Sequence, residues 1–233
     1  MRLYLVDSYL ATCDTSIVDA DNGWWLLSDT VFYPGGGGQP ADTGTITFNA
    51  ETHRVDEVRS DHGEIWHRVN LIASLDSEVQ CRIDWDRRYA LMRHHALLHI
   101  VNTIARRAYG GLITGTLIGT GRSRIDFSFE AFDRSMLLEL ESEVNEVISG
   151  DLPISASTIT EAEFPARPDL IRTRNVLPPI EEGKVRIVEI GDLDAQACGG
   201  THVHSTGEIR GARIDRFENK GRDNKRLYSV LEE

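Results

Sequence analysis

Two pairs of metal-ligand side chains stand about a hundred residues apart in this chain of 233: His95 with His99, and Cys198 with His202. The first pair lies in RHHALLH and the second in ACGGTH. Two imidazoles at i, i+4 share one face of a helix, with Cβ atoms roughly 5–6 Å apart. Both then reach one ion at about 2.0–2.1 Å, and a thiolate binds at about 2.3 Å. Gly199 and Gly200 allow a tight backbone turn between Cys198 and His202. A fold that satisfies both pairs must bring a helix near residue 95 against a turn near residue 200. The four donors make up a tetrahedral zinc set, one ion per chain.

Neighbouring residues narrow the chemistry. His94 points about 100° away from His95 around a helix and falls outside the set. The Glu that follows the first His in zinc proteases is absent, because Ala96 stands there, so protease activity is not expected. The three cysteines form no disulfide framework, and no export signal precedes them, which fits a reducing cytoplasm. Cys13 and Cys81 read as small buried hydrophobes. No apolar run approaches the roughly 20 residues of a membrane span. The net charge of −12 argues against a general nucleic-acid coat protein. It leaves room for a local basic surface between Arg210 and Arg226.

Hydrophobic periodicity divides the chain. Up to about Asp84, RLYLV, WWLLS, GTITFN, HRVDEV, EIWHRV and EVQCRI read as short strands of a small β-barrel, domain 1–85. From Asp86 to Tyr109 the stripe Leu97, Ile100, Val101, Ile104 and Ala108 predicts an amphipathic helix. His95, His99 and Asn102 fall on its opposite face, towards a cleft. A second helix is predicted over Ala131 to Ser149, with Leu137, Leu140, Val144, Val147 and Ile148 inward. RSRIDFSF, KVRIVEI, EIRGARIDRF and RLYSVLEE add strands, so 86–233 is expected to be α+β with a mostly antiparallel sheet.

DTVFYPGGGGQPADTG carries four consecutive glycines, Gly35, Gly36, Gly37 and Gly38, followed by Gln39. Such a run permits positive φ or close backbone approach. It is no P-loop, since no Gly-Lys-Ser/Thr follows.

Together, PGGGGQPADTG, MRHHALLHIV, GRSRIDF and DAQACGGTHVHSTGEI resemble the free-standing alanyl-tRNA editing proteins called AlaX, and the editing domain of alanyl-tRNA synthetase. The resemblance covers nearly the whole chain, in the family's order. It implies a β-barrel bearing the glycine motif, followed by an α+β editing domain. It implies zinc on His95, His99, Cys198 and His202, and hydrolysis of the ester that joins a wrong amino acid, mainly serine, to tRNA for alanine. The chain looks like the medium-length form that acts in trans, with mischarged tRNA as partner and neither membrane nor DNA. Ala96 departs from the family's usual Thr. That puts the tuning of the site in question but not the ligation.

The resemblance also implies a division of labour. Cys198 serves catalysis as well as ligation, and Thr30 and Gln39 read the serine hydroxyl, with Asp126 a further candidate. Apart from the resemblance, the backbone freedom of the four glycines suits a substrate loop, and the local basic run suggests phosphate contact by Arg213 and Arg222. Four protein donors describe a closed structural site, whereas catalytic zinc keeps a position open, so the donor count leaves both roles standing. Two rival functions follow: a zinc-stabilised tRNA-binding module without catalysis, and an editing domain of threonyl-tRNA synthetase type.

Overall fold

The computed structural model describes residues 1–72, 74–129, 132–173, 178–221 and 224–232. The chain falls into two units, Met1–Tyr89 and Ala90–Glu233, divided within one helix. The first unit holds α1 (Leu3–Val6), β1 (Thr12–Asp21), β2 (Trp24–Leu27), β3 (Gly44–Phe48), β4 (Glu51–Val55), β5 (Val58–Asp61), β6 (Glu64–Arg68) and β7 (Glu78–Ile83). The strands make one antiparallel sheet in the order β4-β3-β7-β1-β2-β6-β5, curled into a half-barrel. EVQCRI shows why it folds this way. Val79, Cys81 and Ile83 are buried, while Glu78, Gln80 and Arg82 face out, the period of two that puts one sheet face on a core. Ile17, Trp25, Phe32, Ile46 and Cys81 are fully buried in that core. Cys13 lies directly opposite Cys81 across β1 and β7, and both are unbridged.

Two readings of this unit need correction. RLYLV forms a single helical turn and not a strand. Asp7 N–H donates back to Leu3 O (3.0 Å), while Leu3 N–H is held by Thr30 O (2.9 Å). HRVDEV spans a break, ending β4 at Val55 and opening β5 at Val58.

Helix α2 (Trp85–Tyr109) crosses the division between the units. Its expected amphipathicity is corrected too. From Leu91 to Ala105 every residue except Arg93 is buried, the histidine face included, whereas Ala108 is exposed. Gly110 ends the helix at φ 72°, its N–H donating to Arg106 O.

The second unit continues with β8 (Ile113–Leu117), β9 (Ser123–Phe127), α3 (Met136–Ser149), β10 (Ile154–Thr160), β11 (Ile180–Glu181), β12 (Lys184–Ile190), β13 (Asp194–Ala197), β14 (Ala212–Asn219) and β15 (Lys225–Leu231). β10, β12 and β11 form one sheet, with β13 also paired to β12, and β14-β15-β9-β8 form another. All these strand pairs are antiparallel. α3 buries Leu140, Val144 and Ile148, while Leu137 and Val147 are half-buried. It is tied to β14 by Asn145, whose amide nitrogen donates to Ala212 O (2.8 Å) and whose amide oxygen accepts from Ala212 N–H (3.0 Å). EIRGARIDRF is strand only from Ala212, because Thr206–Ile209 make a 3-10 turn capped reciprocally by Ser205 and Glu208.

Candidate metal centre and glycine loop

The turn after β13 carries Cys198 and His202 to the buried histidines in the middle of α2. Cys198 Sγ lies 3.5 Å from His95 Nε2 and 3.4 Å from His202 Nε2. A tetrahedral ion with bonds of about 2.3 Å to sulfur and 2.0–2.1 Å to nitrogen requires sulfur–nitrogen edges of about 3.6 Å. The observed edges match. All four ligand atoms lie within 4.8 Å of one another, and the ring centroids of His95, His99 and His202 are 4.2–5.0 Å apart. These residues could hold one metal ion.

Burial sets their protonation. It drives His95 and His202 well below the usual imidazole value, assisted by neighbouring imidazoles and by Arg186, and His99 down to about 3, assisted by Arg186 and Arg172. All three are therefore neutral at pH 7, the form that ligates a metal. Burial raises the Cys198 thiol, against the opposing pull of Gly200 N–H and Arg186. Ionisation of that sulfur calls for a cation beside it. Among the described residues, no carboxylate figures in the charges acting on these four groups. The buried Nδ1 atoms of His99 and His202 have no hydrogen-bond partner among the described residues.

The residues around the cluster were not singled out from sequence. Arg172 pairs with Asp194 (2.8 Å), Gln196 donates to Asp194, and Asn102 Nδ2 lies 3.4 Å from Gln196 Oε1. Asn102 and Gln196 are thus buried beside the ligand-bearing segments. The only sequence trace was the position of Asn102 on the histidine face of α2. Gly199 and Gly200 do not adopt positive φ. The need at Gly199 is for space, since a Cβ there would sit 2.9 Å from Pro179 Cγ.

In the first unit the glycine run makes a hairpin in which Gly36 and Gln39 exchange backbone hydrogen bonds of 2.9 Å. Gly35, Gly36, Gly37 and Gly38 have φ of 88°, 140°, 58° and 90°, a succession that side-chain-bearing residues rarely adopt. Asp42 pins the base of the loop by accepting from Tyr33 N–H (2.7 Å) and from the fully buried Arg88. Gln39 is only 2% exposed. Thr30 is buried as well, and its hydroxyl lies 2.8 Å from His67 Nε2 and 3.1 Å from Phe32 N–H.

Asp126, on β9, takes a two-pronged ion pair from Arg226 at 2.8 Å on each oxygen. Part of the basic segment is engaged in ion pairs as well. Arg216 and Lys220 pair with Glu218, and Arg122 pairs with Asp215. Arg213 is exposed on β14, and Arg222 lies outside the described residues. No helix among the described residues is long and apolar enough to cross a membrane.

Comparison with known proteins accords with this arrangement. Residues 185–228 match the model of the threonyl and alanyl tRNA synthetase second additional domain, and residues 9–87 match that of class II (A) tRNA synthetases. The alanyl-tRNA editing protein AlaX-M of Methanosarcina acetivorans is 36% identical over 241 residues, covering 98% of each chain. AlaX-M of Saccharolobus solfataricus is 39% identical over 234 residues, covering 99% of this chain and 98% of the relative. AlaX-L of Pyrococcus horikoshii is 34% identical over 229 residues, covering 95% of this chain and 55% of that longer protein. With identities of this size over nearly its full length, the chain belongs to the AlaX family of alanyl-tRNA editing proteins.

Proposed function

We propose that the protein is a zinc-dependent aminoacyl-tRNA deacylase of the cytoplasm. It acts in trans on seryl-tRNA, and on glycyl-tRNA, for alanine. The observation that carries the metal part is the buried cluster of three neutral imidazoles and one cysteine, whose sulfur lies at distances from His95 and His202 that suit a tetrahedral ion. When bound, zinc supplies a Lewis acid that polarises an ester carbonyl or a water. His95, His99, Cys198 and His202 hold it, and their burial keeps protons off the imidazoles at neutral pH.

Discrimination rests on the serine hydroxyl, because an apolar pocket alone separates serine from alanine weakly. Thr30 and Gln39 are the readers in this account, with Asp126 third. The Thr30 hydroxyl has one donor and two acceptor positions. His67 and Phe32 take the donor and one acceptor, which leaves one lone pair for an incoming hydroxyl. The positive-φ loop of Gly35–Gly38 presents backbone to the substrate, and Arg213 and Arg222 meet tRNA phosphates.

Four protein ligands also suit a closed structural site, which would make the chain a zinc-stabilised tRNA-binding module without catalysis. One variant separates the readings. Cys198→Ala is expected to lower kcat/KM on seryl-tRNA for alanine by at least about tenfold, with loss of zinc, because ligand-set integrity governs metal affinity at this scale. Full activity in a zinc-depleted, folded variant would contradict the zinc-dependent reading. An inactive wild type that still binds the tRNA would favour the binding module.

A further inference from the structure

We propose that Arg186 is a positioning residue for the metal centre, holding the Cys-Gly-Gly-Thr-His turn in its metal-binding shape through the carbonyls of Cys198 and Gly200. The inference rests on the metal reading of the cluster. β12 and β13 pair with Ile187 opposite Ala197, so the register carries Arg186 to a place opposite Cys198. Cys198 N–H donates to Arg186 O at 3.0 Å. In return Arg186 Nη1 donates to Cys198 O at 3.0 Å and to Gly200 O at 2.9 Å. One residue thus makes three hydrogen bonds to the turn, at one ligand and at a point two residues before the other.

The remaining contacts of the turn point the same way. Gly200 N–H lies 3.4 Å from Cys198 Sγ, and Gly199 packs where a Cβ would meet Pro179. Backbone bonds, side-chain fork and packing together leave the sulfur little freedom to swing away from the imidazoles.

Charge alone would not place a guanidinium here. Arg186 acts electrostatically on all four ligands, and a permanent cation opposes a second cation nearby. Its position makes physical sense if hydrogen bonding to the turn outweighs that repulsion. An arginine suits the task, because two donors on one planar nitrogen reach both carbonyls with little rotamer freedom to lose.

The test is cobalt(II) titration of the metal-free protein, following the thiolate-to-cobalt absorption and the ligand-field bands. R186M removes the donors and the charge. It is expected to weaken cobalt binding 10–100-fold, as loss of a ligand's supporting partner does, and to diminish the thiolate band. R186K keeps the charge but not the planar fork and should fall between R186M and wild type. Wild-type affinity and spectrum in R186M would overturn the proposal. So would a lower melting temperature of the metal-free variant with an unchanged cobalt spectrum and affinity, since that marks a general stability role. If R186M does not fold, R186K decides: weakened binding sustains the proposal and wild-type binding overturns it. A wild-type protein that takes up no cobalt would overturn the metal reading and the role of Arg186 with it.

Discussion

His67 sits between partners that settle its tautomer. Trp25 O can only accept, so His67 Nδ1 (3.1 Å away) carries the proton and Nε2 accepts from the Thr30 hydroxyl. Burial lowers the His67 pKa to about 4. The unfolded chain titrates near 6.5, so below that value it binds a proton that the folded protein refuses. Stability is therefore lost as pH falls from about 6.5 towards 4, by at most about 1.4 kcal/mol per pH unit from this group. In urea denaturation, the stability gap between wild type and His67→Asn should be widest at pH 7 and narrow below pH 6. A gap constant with pH would contradict the assignment. Thr30→Val removes the donor to His67 and is expected to cost about 1–3 kcal/mol of stability. It should also lower kcat/KM on the seryl ester about two- to tenfold more than on the glycyl ester, the worth of one neutral hydrogen bond. The comparison of the two esters cancels any general damage. Equal losses would remove Thr30 as the serine reader.

Among the elements, α2 joins the two units, and its first turns lock the glycine loop. Arg88 is fully buried and donates to Asp42, Ser8 O (2.8 Å) and Val31 O (2.7 Å). Removing one partner leaves a buried charge uncompensated, at about 3–5 kcal/mol. Arg88→Met should lower the urea midpoint accordingly, and a loss under about 1 kcal/mol would show that the pair contributes only specificity. Legibility varied among elements for physical reasons. α2 and KVRIVEI stood out in the sequence because their patterns are long or regular. β1 did not, since TCDTSIVDAD carries three aspartates and buries only Thr15 and Ile17. The all-round burial of α2 was hidden because periodicity reports which face is more apolar, not whether polar faces are also covered. His95, His99 and Asn102 are covered because later segments of the chain pack over them, which no local pattern records.

Across the whole molecule, the metal cluster was the most legible feature. Cysteine and histidine in paired spacing have few other uses, and their chemistry requires that they meet. Arg186 was not legible as a partner of that cluster, because only the β12–β13 register brings it opposite Cys198. The basic C-terminal segment was legible as composition but not as surface. Arg216, Lys220 and Arg226 are engaged with Glu218 and Asp126, and only the fold reveals it. As a deacylase of the kind proposed above, the protein removes the wrong amino acid from tRNA for alanine and spares the right one. The most direct test is steady-state deacylation by the purified, zinc-loaded protein of seryl-, glycyl- and alanyl-tRNA for alanine. Hydrolysis of the seryl ester well above its spontaneous rate is expected. The alanyl ester should be cleaved at least about tenfold more slowly, since it leaves a buried polar group of the site unpaired. Equal rates on the seryl and alanyl esters, or no acceleration of either, would contradict it.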